Sequence, residues 1–261
     1  MDSNQDQNLF EKVARLLRQQ KEMYGDFEVT LEDKSSEINE SQSAAKIELH
    51  STASKPNVEY HEKREGSIAD ELAACSTLEE LRSFCERAKV LRTDLSGTNL
   101  VFGVGNANAD LMLIGEAPGE NEDSQGEPFV GKAGQLLDKI MEAIDFKRAD
   151  IYITNILKHR PPDNRDPKPE EREQSLPFLL KQIELVNPKL ILCVGKISAT
   201  TLLGKNSTLK EMRQQFHEFH GRELMVTYHP AALLRNPHWK RPTWEDVQKL
   251  KARYNELGGK P

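Results

Sequence analysis

Residues 111–134 read LMLIGEAPGENEDSQGEPFVGKAG. An apolar run suited to a buried strand stops at Gly115, and helical spacing resumes only at Ala133. Glycines between a strand and a helix usually cradle phosphate on backbone N–H groups. This loop instead carries Glu116, Glu120, Glu122 and Asp123, and carboxylates repel phosphate. It therefore suits a neutral ligand, with Phe129 as the aromatic surface available to it.

The same alternation continues along the chain. Residues 110–115 (DLMLIG), 150–157 (DIYITNIL), 189–195 (KLILCVG) and 223–229 (ELMVTYH) are predicted strands, with 99–105 (NLVFGVG) a short strand or hairpin arm. Residues 133–144, 168–186 and 243–258 are predicted helices, the second kinked at Pro177, and 198–204 is a short one. Strands alternating with helices predict an α/β fold: a three-layer α/β/α sandwich around a central, mostly parallel sheet of four strands. Ligands of such sheets bind beyond the C-terminal ends of the strands. Four loops fall there: Gly115–Gly131, Asn155–Asp166, Gly195–Ile197 and Tyr228–Asn236.

This domain is assigned to residues 67–261. Ahead of it, Leu9, Val13, Leu16 and Leu17 recur at helical spacing, so residues 1–25 are expected to hold an amphipathic helix. That helix is either a docking element for a partner protein or part of the core face. Residues 26–66 are polar and aperiodic, as a disordered linker would be. Thr77 and Glu80 form a capping box before a helix expected over 77–90.

Of the 261 residues, 30% are charged, and no apolar run approaches the ~20 residues of a membrane span. The N-terminus lacks the basic and apolar regions of a secretory signal. Cys75, Cys85 and Cys193 form no even disulfide framework and suit a reducing compartment. A cytoplasmic, non-membrane protein is expected. The net charge of -6 is unevenly spread: residues 151–261 hold 19 basic and 12 acidic side chains, while the rest is acidic. The C-terminal part is thus either a phosphate-facing surface or ordinary solvated charge.

Three stretches, GEAPGENEDSQGEPFVGKAG, YITNILKHRPPDNRDP and YHPAALLRN, together resemble family 4 of the uracil-DNA glycosylase superfamily, over roughly residues 98–255. The resemblance implies a monofunctional enzyme. It flips uracil out of single- or double-stranded DNA, hydrolyses the N-glycosidic bond, and leaves an abasic site for base excision repair. A monomer is expected. The residues suit that chemistry. A flat neutral base needs an aromatic to stack on, an amide to read its edge and a donor where charge develops. Phe129, Asn155 and His229 offer these, each after a different strand. Each alone also reads as a loop staple, a turn cap or a core histidine.

By resemblance, Phe129 stacks on uracil, Asn155 pairs with N3–H and O4, and His229 donates to O2. Backbone N–H groups at Gly115 add donors, and Glu122 meets a 5-methyl group. The superfamily's frequent GQDPY loop carries a water-orienting aspartate, which falls on Ala117 here, and a tyrosine, which falls on Gly119. Glu116 and Asn164 remain to position water. Phosphates are expected at Lys158, Arg160, Arg165, Arg235 and Lys196, and Leu233 is expected as the apolar wedge that fills the gap left by the base. The alternatives are a catalytically inactive DNA-binding module linked to replication, and an enzyme for deaminated purines.

Family 4 enzymes usually hold a four-iron cluster on four cysteines. Here those positions read Cys85, Ala88, His159 and Ser175. One thiolate out of four predicts no cluster, and no metal is expected in the chemistry.

Overall fold

The computed structural model describes residues 67–260. The helix and linker expected over residues 1–66 lie outside the described residues. The compact unit begins at Gly66.

Two capped helices open it. α1 (Ile68–Ala74) starts at a Ser67–Asp70 capping box, and α2 (Leu78–Arg87) at the expected Thr77–Glu80 box. Reciprocal bonds of this kind satisfy N–H groups that helix geometry leaves without partners. Six strands follow: β1 (Val104–Gly105), β2 (Leu111–Gly115), β3 (Tyr152–Asn155), β4 (Leu190–Val194), β5 (Phe216–Phe219) and β6 (Arg222–Thr227). The expected sheet of four strands is therefore corrected to six, in the order β1-β3-β2-β4-β6-β5. The four central strands run parallel, and the two edges, β1 and β5, are antiparallel. β5 escapes a reading by apolar alternation because its side chains are mostly exposed.

Successive side chains of β2 enter opposite cores. Leu111 and Leu113 join one cluster, and Met112 and Ile114 the other. Helices α3 (Glu120–Gln125), α4 (Lys132–Glu142), α5 (Pro169–Val186), α6 (Lys196–Leu203), α7 (Leu209–Met212), α8 (Pro230–Arg235) and α9 (Lys240–Glu256) complete the fold. α4, through Leu137 and Met141, and α9, through Val247, Leu250 and Tyr254, close the first core. α5 and α6 close the second through Leu179, Ile183 and Leu202. These spacings of three and four residues are the helical apolar stripes expected from sequence. α5 runs unbroken through Pro177. A third cluster packs α1 and α2 on α5, centred on Phe84 and Phe178 with ring centroids 5.2 Å apart.

Candidate active site

The parallel strands end together. Gly115 pairs with Asn155, and Val194 with Thr227. Beyond these ends lies a cavity of about 460 Å³. Phe129, Asn155 and His229 line it together, so three separate loops converge as expected.

Asn155 is buried, and its Oδ1 has no hydrogen-bond partner among the described residues. A buried orphan acceptor is costly unless a ligand supplies the donor. Asn155 and the Phe129 ring pack this closely on residue 115 because it lacks a side chain. A Cβ there would lie 2.3 Å from Asn155 Oδ1 and 2.4 Å from Phe129 Cζ.

Phe129 adopts a left-handed backbone, φ +54°, which is unfavourable for a bulky residue. Its surroundings hold it there. Gly134 gives it room, since a Cβ at that position would come within 1.8 Å of the Phe129 carbonyl oxygen. Arg148 donates to the carbonyls of Pro128 and Phe129 and pairs with Asp138 at 3.1 Å. Glu122 brackets the loop: Oε1 accepts from the N–H groups of Val130 (2.9 Å) and Gly131 (2.8 Å), and Oε2 from that of Gly119 (3.1 Å). Its carboxylate thus neutralises loop dipoles as well as lining the cavity.

His229 is the N-cap of α8, where Nδ1 accepts from the Ala231 N–H at 3.2 Å. An accepting Nδ1 carries no proton, so the neutral ring bears its proton on Nε2. Burial, with Arg235 nearby, pushes the pKa down to about 4, so the ring is neutral at physiological pH. The strand end beneath it is anchored by a buried network. Asp246 Oδ2 accepts from Thr227 Oγ1 and from Arg213 Nε, both at 2.7 Å. The Arg213 guanidinium also lies 4.2 Å from the Tyr228 ring, which stacks on Trp239 at 4.8 Å. This layered support has no local sequence pattern.

Glu116 lines the other wall beside Asn164 and Asp166. Burial, then the Asp166 charge, pushes its carboxyl up to about 7. Asp166 was not among the residues expected from sequence. Asn164 Oδ1 is held by Arg160 Nε at 2.8 Å, and Asp163 and Asn164 both have left-handed backbones.

A model of the uracil DNA glycosylase superfamily matches residues 102–251. This chain belongs to the uracil-DNA glycosylase superfamily. Its relatives include type-4 uracil-DNA glycosylases. That of Archaeoglobus fulgidus is 41% identical over 171 residues, covering 62% of this chain and 84% of the relative. Those of Saccharolobus solfataricus and Thermotoga maritima are 42% and 40% identical, with 62% and 60% of this chain and 78% and 84% of the relatives covered.

Among the expected DNA contacts, Lys158 and Leu233 sit differently from expectation, and Arg160 and Arg165 hold protein partners. Lys158 is fully buried beneath the sheet end, bonded to protein oxygens, and cannot meet phosphate. Arg165 forms a bidentate pair with Glu171 (2.7 and 2.8 Å) and reaches Asp94 at 3.2 Å, so it ties its loop to α5. Arg160 serves Asn164. Arg235 and Lys196 remain exposed. Leu233 is fully buried and cannot be a wedge, whereas the next residue, Leu234, is 48% exposed. One turn of α8 decides between them, because adjacent helical positions face different ways.

The positions that carry the family's cluster ligands do not fit an iron–sulfur cluster. Ala88 has no ligating atom and packs in the third core. Cys85 is the one thiol among the four positions and is buried in the third core. His159 Nδ1 pairs with the Thr98 hydroxyl at 3.1 Å, while its Nε2 is buried without a partner. Ser175 is a buried hydroxyl. Among the described residues no three His, Cys, Asp or Glu side chains are grouped to hold a metal ion.

Proposed function

We infer that this chain is a uracil-DNA glycosylase acting in base excision repair: it hydrolyses the bond between uracil and deoxyribose and leaves an abasic site. The observation that carries this reading is the unpartnered Asn155 Oδ1 facing a cavity shared with Phe129 and His229. Uracil supplies the missing donor through N3–H, and the Asn155 amide donates to O4. Cytosine reverses both groups and leaves each unpaired, so it is rejected.

The Phe129 and His229 rings stand 5.7 Å apart. A base sandwiched between them needs roughly 7 Å, two aromatic contacts of about 3.5 Å. Uracil therefore lies face-on to Phe129 and edge-on to His229. Negative charge grows on O2 as the bond breaks, and Nε2–H of the neutral imidazole donates to it. One such donor lowers a barrier by ~3–4 kcal/mol. Among the described residues no lysine lines the cavity, which supports hydrolysis without a Schiff base and hence without strand cleavage. Oligonucleotides holding a single U, hypoxanthine or mismatched T test this. Release of U alone is expected, whereas tight binding without release of any base would restore the inactive-module alternative.

Glu116, with Asn164, positions the attacking water, and only its ionised form can accept a proton from it. Because its pKa is raised to about 7, single-turnover excision should rise with pH between about 6 and 8 and then level off. His229, neutral above about 5, adds no inflection there. Buried Lys158, its pKa pushed down to about 7, loses its proton in the same window and opposes the rise, so the rise belongs to Glu116 only if it vanishes in Glu116→Gln. Glu116→Gln should flatten the profile; an unchanged rise in that variant would remove Glu116 from the role.

The DNA face is read as the exposed basic residues Arg235 and Lys196 around the cavity mouth, with Leu234 as the wedge. Leu234→Ala should slow excision from duplex DNA several-fold, since unstacking costs a few kcal/mol, and leave single-stranded substrate nearly unaffected. Equal effects on both would exclude a wedge. The enzyme is read as a cytoplasmic monomer, and no described helix is long and apolar enough to cross a membrane.

The same reading has no iron–sulfur cluster, its place being filled by side chains. Protein purified anaerobically should be colourless, without absorbance near 400 nm. A brown protein with about four irons per chain would overturn this.

A further inference from the structure

We propose that Lys158 is a positioning residue for base recognition, holding the main chain of Asn155 so that its amide meets the uracil edge. This rests on the reading that Asn155 recognises the base.

Lys158 is completely buried, yet no carboxylate among the described residues bonds to it. Buried lysines without an acidic partner are rare because desolvation penalises the charge. This one is compensated by oxygens. Nζ donates to Thr154 Oγ1 at 2.7 Å, Gln182 Oε1 at 2.7 Å and the Asn155 carbonyl at 2.9 Å. Three acceptors thus surround Nζ, the full valence of an ammonium, against burial that pushes its pKa down to about 7. The Phe102 carbonyl lies further off, at 3.4 Å.

The acceptors are themselves oriented. The Thr154 hydroxyl donates to the Phe102 carbonyl at 2.7 Å, which leaves its lone pairs toward Nζ. The Gln182 amide nitrogen donates to Tyr152 Oη at 2.8 Å and to the Phe102 carbonyl at 3.1 Å, which fixes its oxygen on Nζ. Every group around Lys158 is thus arranged for a donor with no lone pair.

The consequence falls on Asn155, the last residue of β3. Beyond it, the N–H groups of Ile156 and Leu157 continue the ladder to Gly115 and Glu116, but the Asn155 carbonyl turns to Lys158. A single ammonium therefore clamps the residue before Asn155, through its side chain, and Asn155 itself, through its carbonyl, and ties both to α5. The amide of Asn155 receives no hydrogen bond at Oδ1 from the protein. Its aim therefore depends on where the main chain stands, and errors of about 1 Å can cost ~100-fold in rate. No role in proton transfer is needed, and Lys158 does not line the cavity.

The test uses the full chain and compares Lys158→Met and Thr154→Val with Thr154→Ser. Lys158→Met keeps the length of the side chain without its donors. Thr154→Val removes one acceptor at constant shape, and Thr154→Ser restores it. A hydrogen bond to a charged group is worth a factor of roughly 10 to 100. Thr154→Val should therefore lose about that factor in kcat/KM for uracil-containing DNA, and Lys158→Met more. Affinity for uracil-free DNA should stay within about twofold of native, and Thr154→Ser should recover native excision.

Two controls separate the possible failures. Leu250→Ala, on α9 in the first core, which holds no residue bonded to Lys158, measures what loss of stability alone does to excision. Asn155→Ala checks the recognition reading itself: native excision in that variant would sink the reading and leave Lys158 with nothing to position. Should Lys158→Met fail to fold, the Thr154 pair decides. Native excision in folded Thr154→Val, or a parallel fall in excision, uracil-free DNA binding and thermal stability that Thr154→Ser does not repair, would overturn the proposal.

Discussion

Gly115→Ala is expected to abolish uracil excision while the protein remains folded. The backbone at Gly115 is not left-handed, so alanine is conformationally acceptable there, and the effect is purely spatial. The added methyl would lie 2.3 Å from Asn155 Oδ1 and 2.4 to 2.7 Å from the Phe129 ring. These are the two groups proposed to hold the base, so whichever yields, the proposed pocket is lost. Overpacking of this kind typically costs 1–3 kcal/mol, about what a small domain tolerates. The catalytic loss should be on the order of 100-fold or more, because both stacking and edge recognition are displaced. Single-turnover excision beside a thermal melt measures the two separately. Near-native excision would mean that the placement of Asn155 and Phe129 against Gly115 does not matter to base recognition.

His229→Ala should reduce the chemical step by about 100- to 1,000-fold, the usual cost of removing one oxyanion donor. Binding of uracil-containing DNA should change little, because the bond to O2 strengthens chiefly as charge develops. The variant also loses the N-cap of α8, in which Nδ1 accepts from Ala231, at about 1 kcal/mol. His229→Asn separates these effects, since asparagine caps well and keeps a donor amide. It should restore the melting temperature and part of the rate. Equal losses of binding and turnover in His229→Ala would contradict a transition-state role.

The local rules of strand and helix were readable because they repeat over short distances. Alternation places Leu111 and Leu113 in one core and Met112 and Ile114 in the other, and helical spacing aligns Val247, Leu250 and Tyr254. The convergence of Phe129, Asn155 and His229 was readable for a topological reason: in parallel strands joined by helices, the loops after the strands share one edge. The β5 edge strand was missed because its exposed residues carry no apolar alternation.

What the sequence by itself determined, then, was the α/β class, the central parallel strands and the three loops that bring Phe129, Asn155 and His229 to one cavity. Tertiary structure alone decided which polar and apolar residues face inward. Lys158 reads as a surface cation until Gln182, 24 residues on, and Phe102, 56 residues back, supply oxygens around it. Leu233 and Leu234 are the same residue type, and only the packing of α8 buries one and exposes the other. The His229 tautomer, the Arg213–Tyr228–Trp239 support and the raised pKa of Glu116 likewise arise from groups distant in sequence. The physical reason is common to all of them. Periodicity records which face of an element is apolar, but the energy of a polar group depends on the partners and the loss of water that folding brings to it.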